Sequence, residues 1–153
     1  QFATEVQSVI ASVGASNPEW RFVVYENGEA KSDGRTLAKT LNAPVTLHVE
    51  APPVAVLVGP TTASSGEAVA IAFRGRSSTR LFGATTRGLT TANRVFPLSD
   101  GSLLNLTTAA FADRMGTPYQ NGVTPDELWN GPPDVGKESL PLNWLGAQPA
   151  CAK

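Results

Sequence analysis

Ser64 and Glu67 stand three residues apart in Thr62-Ala63-Ser64-Ser65-Gly66-Glu67, between the apolar run Val54 to Val58 and a second apolar segment, Ala68 to Phe73. A serine between a buried strand and a buried helix has the setting for acyl-transfer chemistry. The first-turn N–H groups of a helix have no intrahelical partners and carry partial positive charge. The hydroxyl can attack a carbonyl while those N–H groups, that of Ser65 first among them, take up the developing negative charge. Ala63 and Gly66 leave room for the carbonyl to approach. The same residues support a plainer role. Ser64-x-x-Glu67 is also a capping box, in which the serine caps the helix and Glu67 reaches back. On the pattern alone, capping stands ahead of catalysis.

Other reactive side chains are sparse. The single histidine, His48, falls on the polar face of Val45 to Glu50, where alternation predicts a strand, so it reads as an exposed strand histidine. The single cysteine, Cys151, excludes an intramolecular disulfide and a multi-cysteine zinc site. No His, Cys and carboxylate grouping has metal-ligand spacing, and no cofactor is expected. Asp113-Arg114 reads as a strand-end ion pair, and Arg74, Arg76 and Arg80 as a solvated helix end. Asn105-Leu106-Thr107 matches the glycosylation pattern but falls inside an expected strand.

The whole chain narrows the field further. Its 153 residues suit one domain, and 41% hydrophobic against 16% charged residues can support a core. A net charge of -1 argues against nucleic acid as a partner, because phosphate binding needs a surplus of cations. No apolar run approaches the ~18 residues of a membrane helix. The N-terminus, Gln1-Phe2-Ala3-Thr4-Glu5, is not an intact signal peptide.

These residues need elements to position them. Spacing of Phe2, Val6, Val9, Ile10 and Val13 predicts a helix over 1–13. Trp20 to Tyr25 reads as a strand before the turn pair Asn27-Gly28, and residues 26–44 as an exposed hairpin or loop. Val54 to Val58 reads as a strand buried on both faces. Ala68 to Arg74 reads as a buried helix with a basic last turn, and together they make half of a βαβ unit. Thr79–Phe82, Arg94–Phe96, Leu103–Leu106 and Thr107–Ala112 are strand-like, with Ser99-Asp100-Gly101 as a hairpin turn. From Gly116 onward dense Pro, Gly and Asn predict an extended tail anchored by Trp129 and Trp144.

Set in order, several short motifs across Val54 to Asp126 resemble the catalytic core of the C-terminal-processing (tail-specific) serine peptidases. After the hydrophobic strand come Thr62-Ala63-Ser64-Ser65-Gly66-Glu67 and Gly83-Ala84-Thr85-Thr86-Arg87-Gly88. Phe96-Pro97-Leu98-Ser99-Asp100-Gly101, Leu106-Thr107-Thr108-Ala109 and Gly122-Val123-Thr124-Pro125-Asp126 follow. The resemblance implies an α/β, crotonase/Clp-protease-like core, incomplete in this chain. Residues 1–126 would be the C-terminal part of that core and 127–153 an extended tail packed on it. It makes Ser64 the nucleophile and the Ser65 N–H an oxyanion donor, and it makes Asp126 a structural landmark.

The best-known branch carries a lysine base at the position of Leu89, and Arg87 cannot replace it, because a guanidinium keeps its proton at working pH. The chain therefore looks closer to the tricorn-like branch, whose base is a histidine from an upstream segment. Gln120 is the residue here that could orient such a histidine; the family's glutamate has no counterpart near it. An upstream chain of the same precursor would complete the site, with Cys151 as a possible disulfide tether. The implied function is peptide-bond hydrolysis through an acyl-enzyme on Ser64, acting on a peptide or protein outside the cytoplasm, secreted or periplasmic. Two alternatives are a non-catalytic module binding peptides or apolar ligands, and an esterase or acyltransferase using the same serine.

Overall fold

The computed structural model describes residues 6–7, 24–26, 29–32, 35–39, 47, 49, 51–131 and 139–151. In chain order the strands are β1 (Val24–Glu26), β2 (Glu29–Ser32), β3 (Arg35–Lys39), β4 (Val54–Val58) and β5 (Thr79–Gly83). They continue with β6 (Thr91–Pro97), β7 (Leu103–Ala112), β8 (Pro118–Tyr119) and β9 (Glu127–Leu128). Two helices lie whole within the described residues, α1 (Ser65–Phe73) and α2 (Leu140–Gly146), followed by a 3-10 turn at Pro149–Cys151. The chain divides into two compact units, Gln1–Pro44 with Thr91–Ala110, and Val45–Thr90 with Phe111–Lys153.

In the first unit β1, β2 and β3 form an antiparallel sheet. The pairing Glu26↔Glu29 is the register of a two-residue hairpin, as the Asn27-Gly28 pair leads one to expect; that pair itself lies outside the described residues. Thr91–Pro97 pairs antiparallel with β7 around Ser99-Asp100-Gly101. There the Gly101 N–H donates to the Leu98 carbonyl (3.0 Å), Asp100 accepts from the Ser102 N–H (2.9 Å), and Gly101 takes φ 85. The two pieces read as Leu103–Leu106 and Thr107–Ala112 are one strand. Of the helix expected over 1–13, Val6 and Gln7 are helical and the rest lies outside the described residues.

The second unit is built on the parallel sheet β4-β5-β9. All of β4 pairs with β5, Val54↔Thr79 through Val58↔Gly83, and α1 makes the crossover of the βαβ unit. Its core is Val58, Ala70, Ile71, Leu81 and Val123, with Val56, Phe111 and Tyr119 packed against it. Phe82 is fully buried, and the Trp144 ring of α2 tilts over it with centroids 5.8 Å apart. Gly83 is required where the two strands meet: at φ 127, a Cβ would stand 1.9 Å from the Val58 carbonyl oxygen.

Several sequence expectations need correction here. Among the described residues β4 pairs on one side only, and Leu57 is 42% exposed, so the face that carries it is open. Helix α1 begins at Ser65, buries only Glu67, Ala70 and Ile71, and leaves Val69 59% exposed. No basic residue lies in its last turn; Arg74 is already the C-cap residue in extended conformation. Leu47 and Val49 are exposed and not in a strand, while the rest of 45–50, His48 included, lies outside the described residues. The proline-rich region is not extended throughout. Glu127–Leu128 joins the core sheet beside β5, and Leu140–Gly146 is a helix that accommodates buried Pro141 in its first turn, where a missing N–H costs nothing.

Candidate active site

At the carboxyl end of β4 the chain turns twice before α1. The Thr62 N–H donates to the Gly59 carbonyl (2.8 Å) and the Gly59 N–H to Thr62 Oγ1 (3.1 Å). The second turn closes with the Gly66 N–H on the Ala63 carbonyl (3.0 Å), placing Ser64 at its first central position. Ser64 adopts φ 51, ψ -113 there. These are the angles of a II′-type turn, normally reserved for glycine because a Cβ crowds the backbone. Such strain costs about 1–3 kcal/mol and collects at functional sites. It presents Ser64, an exposed residue, at the head of α1, and Ser65 follows, also exposed. The Ser65 N–H has no acceptor among the described residues.

Both approaches of the capping box are present. The Ser64 N–H donates to Glu67 Oε2 at 2.8 Å. The reciprocal approach of the Ser64 side chain to the Glu67 N–H is present but falls short of a hydrogen bond. An N-cap residue ordinarily takes β-region angles, which Ser64 does not.

Glu67 itself is fully buried, a feature the sequence did not flag. Its carboxylate accepts from Thr86 Oγ1 (2.5 Å), the Gly88 N–H (2.7 Å) and the Leu89 N–H (2.8 Å) as well as from Ser64. Burial opposes the charge. The Thr86 hydroxyl and the three backbone N–H groups outweigh it and hold the carboxyl below its usual range. Thr86 Oγ1 in turn accepts from the Val123 N–H (2.8 Å), and the Arg87 N–H donates to the Thr62 carbonyl (2.9 Å). Leu89, where the resemblance leads one to expect a lysine, thus has its backbone tied to Glu67 and is itself 51% exposed. The spacing Ser64-x-x-Glu67 pointed to one of these four bonds; the other three link residues 19, 21 and 22 positions apart.

A cavity of ≈ 420 Å³ opens at the same end of the sheet, lined by Leu57, Pro60, Thr62, Ala84 and Trp129 among others. Gln120 is exposed and shares no hydrogen bond with Ser64 among the described residues. Cys151 is an exposed free thiol. Among the described residues no cluster of three or more metal-binding side chains occurs, and no helix is long and apolar enough to cross a membrane.

The far end of α1 overturns two other readings. The arginines are not a solvated cluster. Arg74 pairs with Asp126 (2.5 Å) and reaches the Thr124 carbonyl, Arg80 pairs with Glu127, and Arg76 donates to the Pro52 carbonyl (2.8 Å). Asp113 does not pair with Arg114. It accepts from the Met115 and Thr117 N–H groups (2.9 and 3.0 Å) and the Tyr119 hydroxyl (3.0 Å), while Arg114 donates to the carbonyls of Ala72 and Arg74. A helix C-terminus offers open carbonyls, and Arg114 takes them.

Comparison with known proteins places this architecture. Residues 5–128 match Peptidase family S41, and the chain belongs to that family, the tail-specific peptidases that its motifs resemble. The α/β core is accordingly part of an S41 peptidase fold. The nisin-resistance protein of Lactococcus lactis subsp. lactis is 32% identical over 127 residues, which is 82% of this chain and 37% of that protein. The chain thus spans little more than a third of the length of the curated relative it matches. Among solved structures, a lipoprotein from Streptococcus agalactiae is 39% identical over 51% of this chain and 28% of its own, with a TM-score of 0.44. The photosystem II D1 C-terminal processing protease is 28% identical over 65% of this chain and 26% of its own, with a TM-score of 0.48.

Proposed function

We propose that this chain carries the nucleophile of a serine peptidase, with Ser64 attacking the peptide carbonyl and a histidine from an upstream segment acting as base. The observation that supports it most is the backbone of Ser64, a non-glycine residue at φ 51, ψ -113 in an exposed turn at the head of α1. Capping does not need that strain; presenting a hydroxyl does. In the first step Ser64 Oγ bonds to the carbonyl carbon, its proton passes to the histidine, and the oxyanion rests against the Ser65 N–H. The intermediate collapses by breaking the C–N bond, and the histidine returns the proton to the leaving amine. Water, deprotonated by the same base, then hydrolyses the acyl-enzyme and frees Ser64. Gln120 is assigned the role of orienting the histidine, and Cys151 that of a possible tether to the upstream chain.

A peptide or protein substrate, met outside the cytoplasm or at the cell envelope, belongs to the same proposal. The Lactococcus relative is named for resistance to nisin. The test is labelling by a fluorophosphonate, which forms an Oγ–P bond and releases fluoride. The chain with its upstream segment should label at Ser64, and Ser64→Ala should not. An unlabelled wild type sinks the proposal.

Leu89 in place of the lysine favours a second reading, a member of the family that binds peptides without cleaving them. Saturable binding of a peptide that is recovered intact from a labelling-inert protein would establish it.

A further inference from the structure

We infer that Glu67 is a positioning residue: its carboxylate holds the Ser64 turn and ties it to the Thr86–Leu89 loop, so that the aim of the Ser64 hydroxyl and of the Ser65 N–H depends on it. The inference rests on reading Ser64 as the nucleophile and extends that reading to a group that touches no substrate. A carboxylate has about four lone-pair sites, and all are taken. Oε1 accepts from Thr86 Oγ1 and the Gly88 N–H, while Oε2 accepts from the Leu89 and Ser64 N–H groups.

A helix cap would use only one of these bonds and would leave Glu67 at the surface, where capping glutamates sit in water. Instead Glu67 is 0% exposed and meets no arginine or lysine among the described residues. Taking a carboxylate out of water is costly, and here aligned N–H and O–H dipoles offset that cost. Thr86 carries the connection onward, because the hydroxyl that donates to Glu67 accepts from the Val123 N–H in the buried core. The chain of contacts thus runs from the strained serine, through one carboxylate, to rigid structure. A backbone at φ 51 persists only where its surroundings over-determine it. The Ser64 N–H bond to Glu67 ties the strained residue to that rigid structure.

Glu67→Gln tests this. It keeps the size of the side chain but turns an NH₂ donor toward groups that are themselves donors. In the protein with its upstream segment, the rate of fluorophosphonate labelling at Ser64 should fall about 10²-fold, the scale of a small misplacement of a reacting group. Ile71→Val thins the core without touching any bond of Glu67, so it should lower the thermal midpoint yet label at close to the wild-type rate. Glu67→Asp, which keeps the charge but withdraws it by one methylene, carries the same expectation as Glu67→Gln if the latter does not fold. Wild-type labelling in a folded Glu67 variant overturns the inference. So does a loss of labelling that merely tracks thermal stability across both sites. Amide hydrogen exchange separates this inference from the one beneath it. In the wild type the Ser64 and Leu89 N–H groups should be protected, and both should lose protection in Glu67→Gln. An unlabelled wild type that keeps this pattern removes the nucleophile and leaves Glu67 as the tie. Unchanged exchange removes the tie itself.

Discussion

Helix α1 is fastened at both ends by acidic residues, and by opposite means. At its N-terminal end a single carboxylate, Glu67, is sealed from solvent and held by N–H and O–H dipoles. At its C-terminal end the Asp126 carboxylate faces Arg74, and nearby Glu127 of β9 faces Arg80 of β5, in pairs that stay partly open, with side chains between 19% and 42% exposed. The first arrangement has little tolerance, because every donor aimed at Glu67 has nowhere else to turn. The second is forgiving, since water and salt can stand in for either partner. The residue that needs an unusual backbone lies at the intolerant end.

The contrast breaks first, if it is to break, at Glu67→Ala. Three N–H groups and a hydroxyl would lose their acceptor together, and urea unfolding should show a loss of about 3 kcal/mol or more. A loss below about 1 kcal/mol would mean that water replaces the carboxylate, and the two ends would then be alike. Acid should find the same end. The Glu67 carboxyl titrates below its unfolded value of 4.5, so its contribution is complete above that pH and is lost as pH falls through the lower folded value. Unfolding measured across that acid range should be steeper for wild type than for Glu67→Gln.

Ser64→Gly sharpens the contrast from the other side. Glycine adopts φ 51 freely, so this variant should gain about 1 kcal/mol in thermal unfolding while losing all labelling. A destabilised Ser64→Gly would show that the side chain supports the turn instead of straining it. The smallest effect is expected at the exposed pair: Arg80→Met should cost less than about 1 kcal/mol, and the difference should shrink at high salt.

Part of this was visible in the sequence. The unbroken apolar run at Val54 to Val58, the small residues after it and the helix formers beyond predicted the βαβ unit and placed Ser64 at its turn. Covered and open faces were not distinguishable there: Leu57 has the same composition signal as Val58, yet Val58 packs with Ala70 and Ile71 while Leu57, on the opposite face, is left exposed. Charge neighbours were equally misleading. Asp113 and Arg114 are adjacent, yet one side chain collects the N–H groups of its own turn and the other caps α1 from about 40 residues away. Which partner an ionic group finds is set by which backbone groups the fold leaves open, and adjacency carries no record of that.

By itself, the sequence determined the family through the order of its short motifs, and it determined the chemistry on offer, one serine beside open helix N–H groups. Local physics suffices for that, because strand, turn and helix each follow from residues within a few positions of one another. The backbone strain at Ser64 and the burial of Glu67 were decided only by tertiary structure. Both depend on Thr86, Gly88 and Leu89 arriving from a distant stretch of chain. A carboxylate becomes a rigid tie only when it leaves water with every lone pair filled, and no spacing within a motif reports that.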